Sequence, residues 1–417
     1  MENRRVVITG MGVVAPNGTG IDAFWDSLVH GRSGVRKITH FDASSYPCQV
    51  AAEVPDFNPT DYMDYKTAKR LARFAQFALA SSKMAVEDSK LDLHSIDPYR
   101  IGVIIGTGSG GAGYSEGQHI AFVEKGIKRI SPFAVVMTCT HSASGIICYE
   151  LGIKGTNTTI SAACNSGLDA IYLAYNTIRL GDTDIMFAGA GEAPVTPYII
   201  SLFSASGILS SNNGEAPDKA LKPFDRDGNG IIIGEGGAVL ILEELQHALK
   251  RGVRIYGEIL GYASGNETYN IFKIDPNGDT GAEVMKKALD NSYLEPKDID
   301  YINAHGNGEI EYDLNETFSI KKTFGDLAYR IPVSSIKPVT GQSISVTGIL
   351  QMITCLLVID RNIIPPTINH INPRPNCDLD YVPNHCRRSV VNTALMNAMG
   401  FGGSHTVVIV GRFNNFK

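Results

Sequence analysis

The chain has 417 residues, 43% of them hydrophobic and 19% charged, which is enough for one large core or two fused ones and reads as a soluble globular protein. Lys plus Arg number 37 against 43 Asp plus Glu, so at a net charge of −6 there is no global basic field for nucleic acid, and attraction to a charged partner must be local. No apolar run reaches the ~18 residues of a membrane-spanning helix, and the seven cysteines (48, 139, 148, 164, 355, 377 and 386) are scattered with no C-x-x-C pair, which points away from a disulfide framework or a zinc site.

In chain order, Met1 to Gly10 reads as a polar lead-in to a strand rather than a signal peptide, and a cytosolic protein is expected. Short β-branched runs then alternate with glycine-bearing turns and helical patterns: Val6 to Thr9, Ile101 to Ile105, Thr158 to Ser161, Asp184 to Ala188 and Val239 to Leu242. That alternation is the grammar of α/β layering. A second set follows: Ile255 to Leu260, Tyr301 to Ala304, Ile331 to Ser334, Thr393 to Asn397 and Thr406 to Val410. In each set a strand leads through a turn into a long apolar helix, Ser161 to Leu180 and Val346 to Ile359, so an internal duplication is expected, with halves 1–253 and 254–417. No Pro/Ser-rich linker parts them, which predicts one fused core. From Cys164 to Leu180 the residues Leu168, Ile171, Ala174, Tyr175 and Ile178 recur at helical steps and predict a buried helix. Insertions over about 30–100 and 106–155 are too long for hairpin connections and are expected to build a pocket and a subunit interface.

Cys164, in Ile160-Ser161-Ala162-Ala163-Cys164-Asn165-Ser166-Gly167, stands where a β run ends and a helix starts. Backbone N–H groups and the positive helix end favour a thiolate there, the form that acts as nucleophile, while the plainer reading is one more small buried hydrophobe. His305, in Ala304-His305-Gly306-Asn307-Gly308, also sits at a strand end before glycines, and Cys with His is the minimal pair for activating sulfur or handling a thioester carbonyl. The glycine-rich turn Gly400-Phe401-Gly402-Gly403 could present amides as an oxyanion hole. Asp225-Arg226-Asp227-Gly228-Asn229-Gly230 imitates a calcium loop, but its twelfth position is Gly236 with Glu235 one residue early, so no metal site is expected. Gly106 to Gly111 lacks the helix and the acid of a dinucleotide fingerprint.

With these pieces placed, the chain resembles the β-ketoacyl-acyl-carrier-protein synthases, most closely the type II elongating condensing enzymes of fatty acid and polyketide synthesis. Val7-Ile8-Thr9-Gly10-Met11-Gly12, Ile130-Ser131-Pro132-Phe133, Ala163-Cys164, Gly234-Glu235-Gly236, Ala304-His305-Gly306, Ser334-Ser335-Ile336-Lys337, Pro365-Pro366-Thr367-Ile368-Asn369 and Gly400-Phe401-Gly402-Gly403 carry the resemblance over nearly the whole chain. It implies an α/β protein of the thiolase fold, a duplicated unit in five layers α-β-α-β-α, usually a homodimer, with a heterodimer as the alternative. It also implies no bound cofactor, the substrates arriving on the 4'-phosphopantetheine of acyl carrier protein.

On the same resemblance, Cys164 would take the acyl chain as a thioester and His305 would serve decarboxylation and condensation. Lys337 would support the site's electrostatics, Phe401 would gate it, and the amides of Cys164 and Phe401 would form the oxyanion hole. Gly108 and Ser109 would line the acyl tunnel. Lys69 and Arg70, with Lys66 and Arg73 on one predicted helix, and Lys128 and Arg129, with Lys125, would dock the carrier, although a solvated charged face is the simpler reading of both groups. Departures from the pattern are Gln342 for the second catalytic histidine, Gln351 for an acid further along that helix, Asn307 and Glu309 for the threonines that hold pantetheine, Gly207 for an arginine, and His405 for an asparagine. Gln342 can still donate a hydrogen bond to a thioester oxygen but cannot carry a proton. Glu309 is either a cleft carboxylate or a solvated loop residue.

These residues point to decarboxylative Claisen condensation in a specialised pathway. The alternatives are a transferase or initiation enzyme using Cys164 alone, and a non-catalytic partner subunit, against which the presence of Cys164 argues.

Overall fold

The computed structural model describes residues 4–211 and 216–414, so Met1 to Asn3 of the lead-in lie outside it. In the first half β1 (Val6–Ala15) is followed by α1 (Arg73–Ser89), β2 (Ile101–Gly106), α2 (Ser142–Leu151), β3 (Asn157–Ile160), α3 (Ser166–Arg179), β4 (Ile185–Glu192) and β5 (Gly236–Glu244). The second half repeats the plan with β6 (Gly257–Asn266), α4 (Asp279–Ser292), β7 (Tyr301–Asn303), α5 (Ile310–Phe324), β8 (Val333–Ser334), α6 (Val346–Arg361), β9 (Thr393–Gly400) and β10 (Ser404–Gly411).

Strand order makes the repetition explicit. Outward from the middle the first half runs β1-β5-β4-β2-β3 and the second β6-β10-β9-β7-β8. Parallel and antiparallel pairings match strand for strand: β2 is parallel to β3 and β4, as β7 is to β8 and β9, while β5 and β10 run antiparallel to both neighbours. The halves join where β1 meets β6 through Val7↔Glu258 and Ile8↔Gly257, giving one sheet of these ten strands and an eleventh, the two-residue strand Gly18–Thr19 paired with the end of β1.

Helices α3 and α6 each pack on strands of both halves and form the middle layer. From Val346 to Ile359 every residue of α6 is buried, as expected of a helix apolar on all sides. Leu168, Ile171, Ala174 and Ile178 of α3 share that core, with Tyr175 half-buried against it. A second core lies under α1 and α2, and a third under α4 and α5, which completes five layers.

In β1 the side chains facing the central helices are Val6 and Ile8, then Met11, Val13 and Ala15. The change of parity falls at the bulge between Ile8 and Gly10, where one extra residue turns the strand over.

The two insertions behave differently. Residues 106–155 bring Gly108, Ser109 and Ala112 to the cavity lined by Cys164, whereas residues 30–100 contribute nothing to its lining and instead carry α1 over the outer face of the sheet. Among the described residues no helix is long and apolar enough to cross a membrane. The Asp225 carboxylate of the calcium-like loop accepts the backbone N–H groups of Asp227, Ile371 and Asn372 and so clamps two segments together.

Candidate active site

The turn from β3 into α3 is tight. Ala163 has φ +50°, a left-handed conformation that a small side chain tolerates best, and Ser166 Oγ bridges the turn, accepting from Ala162 N at 2.8 Å and donating to Ala163 O at 2.6 Å. The first turn of α3 rests directly on β2: a Cβ on Gly106 would lie 2.3 Å from Ser166 O, so only glycine fits. Cys164 is thereby set in the lining of a cavity, just before the α3 cap Asn165, whose Nδ2 donates to Ser404 Oγ at 3.1 Å and ties the turn to the glycine-rich one. The cavity acts against the thiolate that the helix end favours. Burial pushes the Cys164 thiol above its ordinary value, and the opposing pull of the Gln342 amide, Lys337 and the residue's own backbone N–H is the weaker effect.

His305 follows β7 and is buried in a frame of hydrogen bonds. Two carboxylates of α5 hold its loop: Glu316 accepts from His305 N and Gly306 N, each at 2.7 Å, and Asp313 accepts from Gly308 N at 3.2 Å and Phe224 N at 2.6 Å. Met399 N donates to His305 Nδ1 at 3.2 Å. Lys337 Nζ donates to the His305 carbonyl and stands 3.5 Å from Nδ1. Burial, then the Lys337 charge, then His405, hold the imidazole well below its usual range, so it is neutral. Burial lowers Lys337 itself to about 8, against the charges of Glu316, Cys164 and Asp313. Asp313 is raised to about 7, chiefly by burial.

Gln342 lies in the turn before α6 and donates from Nε2 to Cys164 Sγ at 3.2 Å, while its Oε1 is buried without a partner. Gln351, further along α6, sets Nε2 within 3.0–3.2 Å of four oxygens, those of Asn303 (O and Oδ1), Ala304 and Asn397. It fastens the ends of β7 and β9 to the central helix.

Cys164, His305, Gln342, Asn307, Gly108, Ser109 and Phe401 all line one cavity of about 320 Å³. Much of the remaining wall is apolar, with Ile199, Leu202, Phe203, Ile231, Ile233 and Ile344. Phe401 is 39% exposed, with its ring 6.1 Å from that of Phe203. Glu309 does not reach the cavity lining; its carboxylate caps α5 by accepting from Tyr312 N at 2.9 Å. His405 is buried against Glu267, Nε2 to Oε2 at 3.1 Å.

Lys69 and Arg70, on the short helix Tyr65–Arg70, and Lys128 and Arg129 are exposed, and the Arg70 guanidinium lies 4.5 Å from the ring centroid of Phe133, so the two basic segments meet. Arg73 does not join them. The predicted single helix is interrupted at Leu71 and Ala72, and Arg73 pairs with the buried Glu235 at 2.7 and 2.9 Å.

Sequence reasoning missed Glu316, Asp313 and Glu192. The last accepts from Gly108 N, Ser109 N, Ser109 Oγ and Ser345 Oγ, and so holds the loop that floors the cavity. Its signal was available: an acid closing the apolar strand Ile185 to Ala190 calls for buried donors.

The model of the β-ketoacyl synthase N-terminal domain matches residues 3–248, and that of the C-terminal domain matches residues 256–370. The chain is 42% identical over 412 residues to a 3-oxoacyl-[acyl-carrier-protein] synthase 2 of Coxiella burnetii, covering 99% of both, and 41% identical over 409 residues to one from Synechocystis, covering 98% of both. Among solved structures, AntDE:AntF, a type II polyketide-synthase carrier protein in complex with its ketosynthase bound to the hexaketide, superposes with TM-score 0.92 at 35% identity, over 99% of this chain and 100% of that one. The ishigamide ketosynthase/chain length factor gives 0.91 at 32% identity, with the same coverage. With a cysteine and a histidine lining one cavity of a thiolase fold and a buried lysine set against that histidine, the chain belongs to the β-ketoacyl synthase family of condensing enzymes.

Proposed function

We propose that the protein extends an acyl chain held on Cys164 by decarboxylative Claisen condensation with a malonyl group on acyl carrier protein, in a specialised fatty acid or polyketide pathway. The observation that carries this reading is the Gln342 amide, 3.2 Å from Cys164 Sγ at one end of an apolar cavity, with neutral His305 lining the same space. Cys164 gives up its proton and attacks the acyl thioester carbonyl, the amides of Cys164 and Phe401 stabilise the oxyanion, and as it collapses the bond to the pantetheine sulfur breaks and the carrier leaves as its thiol, taking up that proton. The acyl chain lies along the apolar wall. His305 and Gln342 then donate hydrogen bonds to the malonyl thioester oxygen as carbon dioxide leaves, with Lys337 holding the site electropositive. The pantetheine arm delivers both substrates past Asn307, and the exposed Lys69, Arg70, Lys128 and Arg129 dock the acidic carrier, in the cytosol, on a homodimer.

A second reading, a partner subunit in a heterodimeric synthase, is favoured by one comparison, the ishigamide ketosynthase/chain length factor, but Cys164 and its cavity argue against it. The test is incubation of the purified protein with acyl- and malonyl-carrier protein, following acyl-Cys164 and carbon dioxide by mass spectrometry. Both signals with a β-keto product support condensation. Acylation without carbon dioxide indicates a transferase, and no acylation a partner subunit.

A further inference from the structure

The proton of His305 has only one place to be. Met399 N–H donates to Nδ1 at 3.2 Å, and a backbone amide nitrogen cannot accept in return. A neutral ring held in this way carries its hydrogen on Nε2. Facing Nε2 at 3.1 Å is Asn307 Nδ2. The orientation of that amide is fixed independently, because the backbone N–H of Glu309 donates to Asn307 Oδ1 at 3.0 Å. Turning the amide over would set its NH₂ against the Glu309 N–H. Two donors therefore lie side by side and neither can accept from the other.

His305 is 2% and Asn307 3% exposed, and both line the cavity that holds Cys164. An oxygen about 2.8–3.0 Å from each nitrogen would complete a nearly equilateral triangle and accept from both. Among the described residues no oxygen is hydrogen-bonded to either nitrogen, and the chemistry of the site supplies one.

We propose that Asn307 is a catalytic residue: its amide N–H and His305 Nε2–H together grip the thioester oxygen of the malonyl donor. The inference rests on the decarboxylative reading above. As the bond to the carboxylate breaks and carbon dioxide leaves, its electron pair forms the enolate C=C and the negative charge settles on that oxygen. The enolate carbon then bonds to the acyl carbon on Cys164, and the C–S bond breaks to release the thiolate. Asn307 thus adds a donor to a site in which Gln342 offers only an amide.

The test compares two rates in the purified full-length protein, carbon dioxide release from malonyl-carrier protein and acylation of Cys164 by acyl-carrier protein. Asn307→Asp keeps an acceptor for the Glu309 N–H but presents oxygen in place of the NH₂. The ratio of decarboxylation to acylation is expected to fall about 10²–10³-fold, the usual cost of one oxyanion donor, mainly in kcat. A ratio within threefold of wild type, or a proportional fall in both rates, overturns the assignment. Should Asn307→Asp fail to fold, Asn307→Ser, which is smaller and leaves the oxygen site unfilled, is held to the same ratio. Wild-type protein that acylates but releases no carbon dioxide refutes the underlying reading, an outcome distinct from an unmoved ratio in an active wild type.

Discussion

Replacing Gln342 by leucine separates chemistry from stability. The side chain makes one hydrogen bond, to a sulfur, which is a weak acceptor, and buries Oε1 with no partner. An orphaned buried acceptor costs about 1–3 kcal/mol, so a leucine of similar reach leaves folding unchanged or raises its stability by up to that amount. Loss of a donor aimed at a developing oxyanion costs about 10²–10³ in rate, about 2.7–4 kcal/mol in the opposite sense. The single tryptophan, Trp25, is 4% exposed in the central core and reports urea unfolding, while carbon dioxide release reports the chemistry. A variant that loses more than about 2 kcal/mol of stability, or keeps its decarboxylation rate, would show Gln342 to be structural and refute the reasoning. Gln342→His restores a group able to move a proton, and faster decarboxylation is expected; an unchanged rate would mean that the amide was never limiting.

Because burial brings Lys337 down to about 8 and holds His305 well below its usual range, decarboxylation should decline as pH rises through about 8 and the ammonium is lost, and in a Cys164→Ala background, which removes a charge that raises Lys337, the decline should begin somewhat lower. Lys337→Met should abolish that limb, and a limb surviving in the variant assigns it elsewhere. Asp313, raised from 3.8 to about 7, costs nothing below the unfolded value and a growing amount between about pH 4 and 7. Asn at that position should therefore gain relative stability over that window, by about 4 kcal/mol at full extent at 1.36 kcal/mol per unit; equal urea midpoint differences at pH 4 and pH 8 would contradict it. Reversing charge with Arg70→Glu should raise KM for the carrier about tenfold at low salt, with the difference closing in high salt. Persistence of the difference at high salt would point to lost packing on Phe133 instead.

Elements buried on all sides were legible because their composition alone marks them: β1, β4 and β5 are wholly buried, as is α6 from Val346 to Ile359, and they appear in the chain as largely apolar runs. The seat of Cys164 was legible too, since a strand, small residues and a helix follow one another directly. Its ionisation was not, because desolvation is set by cavity walls drawn from distant segments and outweighs the local donors. The same distance hid the partner of Arg73, which is Glu235, and the acids Glu192 and Glu316, whose donors arrive from other loops. Glu309 reads either way in the chain because its amide and carboxylate are turned toward Asn307 and the start of α5 by the fold of the loop. Gln351 was visible as a departure, but four surrounding oxygens could not be read from one residue.

Cys164 precedes α3 and Gln342 precedes α6, at corresponding corners of the two halves. Identical corners brought face to face would make a contact with no direction to it. Here a sulfur stands on one side and an amide on the other, so the contact has polarity and neither half on its own holds the pair.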